Sequence, residues 1–118
     1  MQINILGTEY EIIKDVDYSK DARLEHRFAY IDFNDRKIVI GDLKTLDSWK
    51  GSTDKAIEKV GRESLRHEIV HGFLYESGLN ASSLQYDAGW AENEEMVDWF
   101  AVQSPKIYKA FEKAGCLE

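Results

Sequence analysis

The sequence predicts an α+β fold: a short antiparallel β-sheet packed on a long helix, followed by a second helix and a C-terminal helix. Three observations carry this expectation. Apolar and polar residues alternate in two paired stretches before residue 42, the period-two signature of half-buried strands. From about residue 53 the period changes, and apolar side chains recur on two sides of one long helical pattern. Beyond it, Ser104-Pro105 divides a further helical stretch in two.

Taken in order, Ile3 and Ile5, then Tyr10 and Ile12, alternate with polar neighbours around Gly7, so residues 2–6 and 8–14 read as a β-hairpin. Residues 15–27 are charged and irregular, with Tyr18, Leu24 and His26 as their anchors. Residues 28–33 and 37–41 form a second hairpin across Asn34-Asp35-Arg36, where Asn and Asp favour a turn. Residues 42–52 are a loop with one helical turn near Leu46 to Trp49. Ser52 or Thr53 can cap the long helix, Asp54 suits its first turn, and Gly78 closes it after Ser77. Val60 and Leu74 share a face with His67 and His71, whereas Leu65, Ile69 and Phe73 lie on the other side. The helix is therefore expected between two layers, the sheet on one side and a later helix on the other. Residues 78–91 form a polar connection, and residues 91–103 a second helix with Trp90, Met96, Trp99 and Phe100 in the core or the wall of a cleft. A last helix over 105–114 starts with Ser104 as N-cap and Pro105 at its first position, and ends at Gly115.

Composition bounds the function. A chain of 118 residues makes one domain, residues 1–118, that buries roughly two-thirds of its unfolded surface. The formal net charge of −7 argues against nucleic acid as a partner, because phosphate recognition needs a basic stripe. No apolar run is long enough to cross a bilayer, and Met1-Gln2-Ile3-Asn4 lacks a charged-then-apolar export signal. Cys116 is a lone cysteine, which points to a reducing, cytoplasmic setting. A monomer is the default expectation.

The stretch Arg66-His67-Glu68-Ile69-Val70-His71-Gly72 holds the chemistry. It reads H-E-x-x-H, and on a helix four residues are one turn plus about 40 degrees, so both imidazoles leave one face. Two neutral imidazoles at that spacing can share a zinc ion, with the Glu68 carboxylate beside it to accept a proton from water. A catalytic zinc needs a third protein ligand. Glu94 and Asp98 sit i, i+4 on one helical face with Val97 and Ala101. Glu94 would ligate, and Asp98 would accept the outer N–H of a ligating histidine and fix its ring. Set against this, two histidines can decorate a solvated face, and Glu92, Glu94 and Glu95 can be an acidic first turn favoured by the helix dipole. His26 reads better as a partly exposed structural histidine than as a ligand, and Tyr75 and Tyr86 as packing residues than as donors to an oxyanion.

H-E-x-x-H followed by E-x-x-x-D resembles the gluzincin metallopeptidases. More narrowly, Glu94-x-x-Val97-Asp98-x-Phe100-Ala101 is similar to the E-x-x-A-N-x-F-A pattern of the ImmA/IrrE-type peptidases and the minigluzincins. Asp98 stands where that narrower pattern has Asn, and Val97 where it has Ala, which favours the broader family. The resemblance covers roughly residues 28–103. It implies a small zincin-like fold and a Zn2+-dependent peptidase acting on a peptide or protein substrate. In that scheme His67, His71 and Glu94 are the metal ligands, Glu68 is the general base, and one strand of the sheet borders the substrate cleft. The alternative is a metal-stabilised, latent or non-catalytic zincin-like module for protein binding or regulation, with residues 105–118 covering the site and even Cys116 entering it. A third class takes H-E-x-x-H as coincidence in a helical regulatory protein, which the matching Glu94 and Asp98 disfavour.

Overall fold

A computed structural model describes residues 1–79 and 93–117. The readings of Asn80 to Glu92, including Tyr86 and Trp90, lie outside the described residues. The four strands are β1 (Gln2–Ile5), β2 (Thr8–Val16), β3 (Ala29–Asp32) and β4 (Lys37–Gly41), and two long helices follow, α1 (Asp54–Glu76) and α2 (Glu94–Ala114). The fold is α+β, as the alternating patterns require. Among the described residues no helix is long and apolar enough to cross a membrane.

Both hairpins form. Leu6 and Gly7 connect β1 to β2, with Ile5 opposite Thr8 and both turn residues at positive φ, 51° and 94°. A two-residue turn of that hand matches the twist of the strands. In the second hairpin, the Asp32 carboxylate accepts from the backbone N–H of Asn34 and Asp35 at 2.9 and 2.8 Å, and Arg36 takes a positive φ. Phe33 belongs to this turn and not to the strand.

The sheet as a whole is not antiparallel. Its order is β1-β2-β4-β3, and the central pair, β2 with β4, is parallel, so the sheet is mixed. The cause lies in Ile38-Val39-Ile40, three consecutive apolar residues that are all buried. Such a strand has core on both faces and belongs in the middle of a sheet. Ile12, Ala29, Ile38 and Ile40 form one core, against which Leu65 and Ile69 of α1 pack. Leu24, Tyr30 and Val39 form the other on the opposite face, beneath the short helical turns of residues 18–24. Fully burying a leucine or isoleucine contributes about 1.5–3 kcal/mol, so Leu24 is the anchor that its surroundings suggested. Asp15 at φ 58° marks a bulge where the β2–β4 register slips.

The Thr53 hydroxyl caps α1, accepting from the Ala56 N–H at 3.1 Å, and the helix ends before Gly78 at φ 88°. The last turn is tied to the sheet. Glu76 accepts from the hydroxyls of Thr8 and Tyr10 at 3.0 and 2.6 Å. Gly72 lets helix and sheet approach closely, since a Cβ there would come within 2.7 Å of Ile5 Cδ1. Phe73 is 43% exposed and does not pack on the sheet core with Leu65 and Ile69.

α2 begins later than expected, at Glu94, with the Asn93 side chain accepting from Met96 N–H at 2.9 Å. It does not stop at Ser104. Pro105 lies inside one continuous helix running to Ala114, and no separate C-terminal helix exists among the described residues. A proline removes the hydrogen bond to the carbonyl four residues back, here that of Ala101. Arg66 Nε of α1 donates to that oxygen at 2.5 Å, which explains how the helix tolerates the proline. The face of α2 that meets α1 is made of Val97 and Ala101, both buried. Trp99 and Phe100 are exposed and do not belong to the core.

Candidate metal centre

The H-E-x-x-H spacing works as helical geometry demands: His67 and His71 project from one face of α1, with their Nε2 atoms 3.1 Å apart. α2 crosses in front of them. The Glu94 carboxylate reaches both rings, Oε2 lying 3.0 Å from His67 Nε2 and Oε1 3.0 Å from His71 Nε2. One turn further along α2, Asp98 Oδ1 lies 2.5 Å from His67 Nδ1. The residues expected to hold a metal and the residue expected to orient a ligand therefore meet at one place, drawn from two helices.

The chemistry of this donor set fits a metal ion. An ionised carboxylate can only accept, so the His67 proton resides on Nδ1 facing Asp98, and its Nε2 presents a lone pair. That lone pair is aimed at the carboxylate of Glu94 and at the second imidazole. Electron-rich atoms gathered so closely repel unless a cation or proton lies between them. Tetrahedral zinc, with bonds of about 2.0–2.1 Å, sets its ligands about 3.3–3.4 Å apart, close to the 3.0–3.1 Å seen here. Two neutral imidazoles and one carboxylate also match zinc in softness.

Glu68 lies beside the histidines, 7% exposed. A carboxylate oxygen of Glu68 and one ring nitrogen from each of His67 and His71 all lie within 4.8 Å of one another. Burial pushes the Glu68 carboxyl above its usual range, a shift opposed by the two imidazoles and reinforced by Glu94.

The site opens into a cleft of about 930 Å³ walled by both helices and β3. Among the described residues β3 is an edge strand. The Gly41 N–H donates to the Phe28 carbonyl, so Phe28 faces β4, and so by alternation do Tyr30 and Asp32. The N–H and C=O groups of Ala29 and Ile31 then point the other way, along the edge beside the cleft. Which strand would border the site was not legible in the sequence.

The secondary candidates fall out as follows. The His26 side chain is 89% exposed at the rim, 3.3 Å from Glu25, and does not join the cluster. Tyr75 stacks flat on Phe33 with ring centres 4.0 Å apart, a packing role. Residues 105–117 contribute nothing to the cleft lining, and the Cys116 thiol donates to the Phe111 carbonyl. Val60, which shares the histidine face as expected, lines the cleft, and sequence reasoning missed Glu63 and Ser64 beside it on α1. Their spacing from His67, one turn back on its face, was the available signal. Compared with family models, with curated proteins and with solved structures, the chain matches none.

Proposed function

We propose that this protein is a zinc-dependent peptidase of the gluzincin type, zincin-like in its arrangement and close in pattern to the ImmA/IrrE-type and minigluzincin proteins. The observation that carries the reading is the Glu94 carboxylate, which lies 27 and 23 residues along the chain from His67 and His71 yet 3.0 Å from both Nε2 atoms. Chance placement of an acidic first turn does not predict that convergence. His67, His71 and Glu94 would hold the ion, and Asp98 fixes the His67 ring. Zinc, when bound there, supplies a polarised carbonyl and a water acidified toward neutrality.

The remaining chemistry belongs to the chain. Glu68 takes a proton from a water in the cleft as that water attacks the scissile carbonyl, and passes it to the departing amine. Its buried setting strengthens its hold on the proton it accepts before the amine departs. The backbone groups of Ala29 and Ile31 offer a ladder on which an extended peptide can lie. Ala101 and Val102 of α2 supply the opposite wall.

The test is metal content of protein purified without a histidine tag, combined with cleavage of an unfolded protein with and without a chelator. One zinc per chain and chelator-sensitive cleavage are expected. Glu68→Gln should keep the zinc and lose cleavage by a factor of about a hundred or more. A wild-type protein that binds zinc but cleaves nothing would favour the metal-stabilised, non-catalytic alternative.

A further inference from the structure

Arg66 takes no part in the chemistry above, yet it makes the contact that joins the two helices beside the site. Pro105 has no N–H to give to Ala101, and Ala101 is 1% exposed, so its carbonyl must be answered by protein. Arg66 answers it, Nε to oxygen at 2.5 Å. Arg66 directly precedes His67, and Ala101 lies one turn beyond Asp98. Polar ties between α1 and α2 thus fall at Glu94, Asp98 and Ala101, over about 10 Å of helix. The first two pass through the histidines, whose nitrogens an ion would occupy or orient. The third is independent of them. Apolar contact along this stretch is narrow, made by the buried Val97 and Ala101 with the half-buried Met96, while Trp99, Phe100 and Val102 are exposed.

We propose that Arg66 is a positioning residue for the metal centre: by occupying the carbonyl that Pro105 leaves open, it keeps α2 docked on α1, with Glu94 and Asp98 in place before an ion arrives. The inference rests on the metal-centre reading given above. Preorganised ligands raise apparent affinity because binding does not have to dock the helix as well.

The experiment compares zinc affinity, by competition with a chromophoric chelator, for the full chain, Arg66→Met, Pro105→Ala and the double variant. Methionine keeps the apolar stem of arginine and removes the donor. Arg66→Met should weaken zinc binding about tenfold or more, the scale of a lost charged hydrogen bond. In the Pro105→Ala background, where a backbone N–H can serve Ala101, the same change should cost less than about threefold. If Arg66→Met fails to fold and the double variant folds, the same rescue is read on stability. Equal losses in both backgrounds, no loss in either, failure of both variants to fold, or a loss confined to the metal-free urea midpoint would overturn the inference and leave the zinc site standing. Wild-type protein that takes up no zinc would overturn both.

Discussion

Removal of the Asp98 carboxylate probes the proposed centre without touching His67, His71 or Glu94. Asp98 accepts from His67 Nδ1 at 2.5 Å, and its side chain is 66% exposed. Loss of such an orienting partner costs about 10–100-fold in metal affinity. Exposure to solvent and salt screens the interaction, so Asp98→Ala belongs near the lower end, about tenfold or 1.4 kcal/mol. The same amount should vanish from zinc-dependent stability, because an ion that binds only the folded state stabilises it by RT ln(1 + [L]/Kd). For a chain of this length that is a fall of about 3–6 °C in Tm at saturating zinc. Asp98→Asn keeps an acceptor oxygen and should fall between wild type and alanine, nearer wild type if orientation of the ring is the main contribution. The assay is chelator competition at fixed pH, with thermal unfolding in excess zinc and in excess chelator. Affinity of Asp98→Ala within about twofold of wild type would refute the orienting role and, with it, the assignment of the His67 tautomer.

Other outcomes are expected away from the candidate metal centre. Gly41→Ala should destabilise by about 1–3 kcal/mol in urea unfolding, because the new Cβ would sit 2.5 Å from the Tyr18 ring, whose hydroxyl is itself held by the Arg27 carbonyl. Leu6→Asn should stabilise by about 0.5–1 kcal/mol, since Leu6 is exposed at φ 51° and asparagine tolerates that region better; an unchanged Tm would deny the strain. The Asp32 carboxyl is held below its usual range by the Asp35 N–H and by Arg23. A depressed folded pKa gives stability that is present above the unfolded value of about 3.9 and lost as pH falls through the folded one. Urea midpoints between pH 6 and the acid limit should therefore drop less steeply in Asp32→Asn than in wild type; parallel slopes would contradict this.

Local pattern carried much of this architecture. Period-two alternation located β1 and β2, turn chemistry located the β3–β4 turn, and Thr53 with Gly78 bounded α1 to within a residue or two. The i, i+4 spacing of Glu94 and Asp98 placed both on the face that meets His67. What escaped was long-range. The parallel pairing of β2 with β4 joins two hairpins, and only the unbroken run Ile38-Val39-Ile40 hinted that β4 is central. The break expected at Ser104-Pro105 failed to appear because its remedy, Arg66, lies 35 residues from the carbonyl it serves. Trp99 and Phe100 misled because aromatic bulk suggests burial, whereas close approach of two helices favours the small side chains Val97 and Ala101.

The parallel centre of the sheet is also a seam. Each hairpin closes on itself, so the chain can be cut in the exposed turns of residues 19–23 without severing a strand. Two fragments made this way would each hold a complete turn-linked ribbon, and the backbone bonds between β2 and β4, together with the bonds from Thr8 and Tyr10 to Glu76 and the packing of Ile5 and Ile12 against α1, would draw the pieces back together. Reassembly of the split protein would thus report on how the first hairpin seats against both β4 and the sheet-facing side of α1.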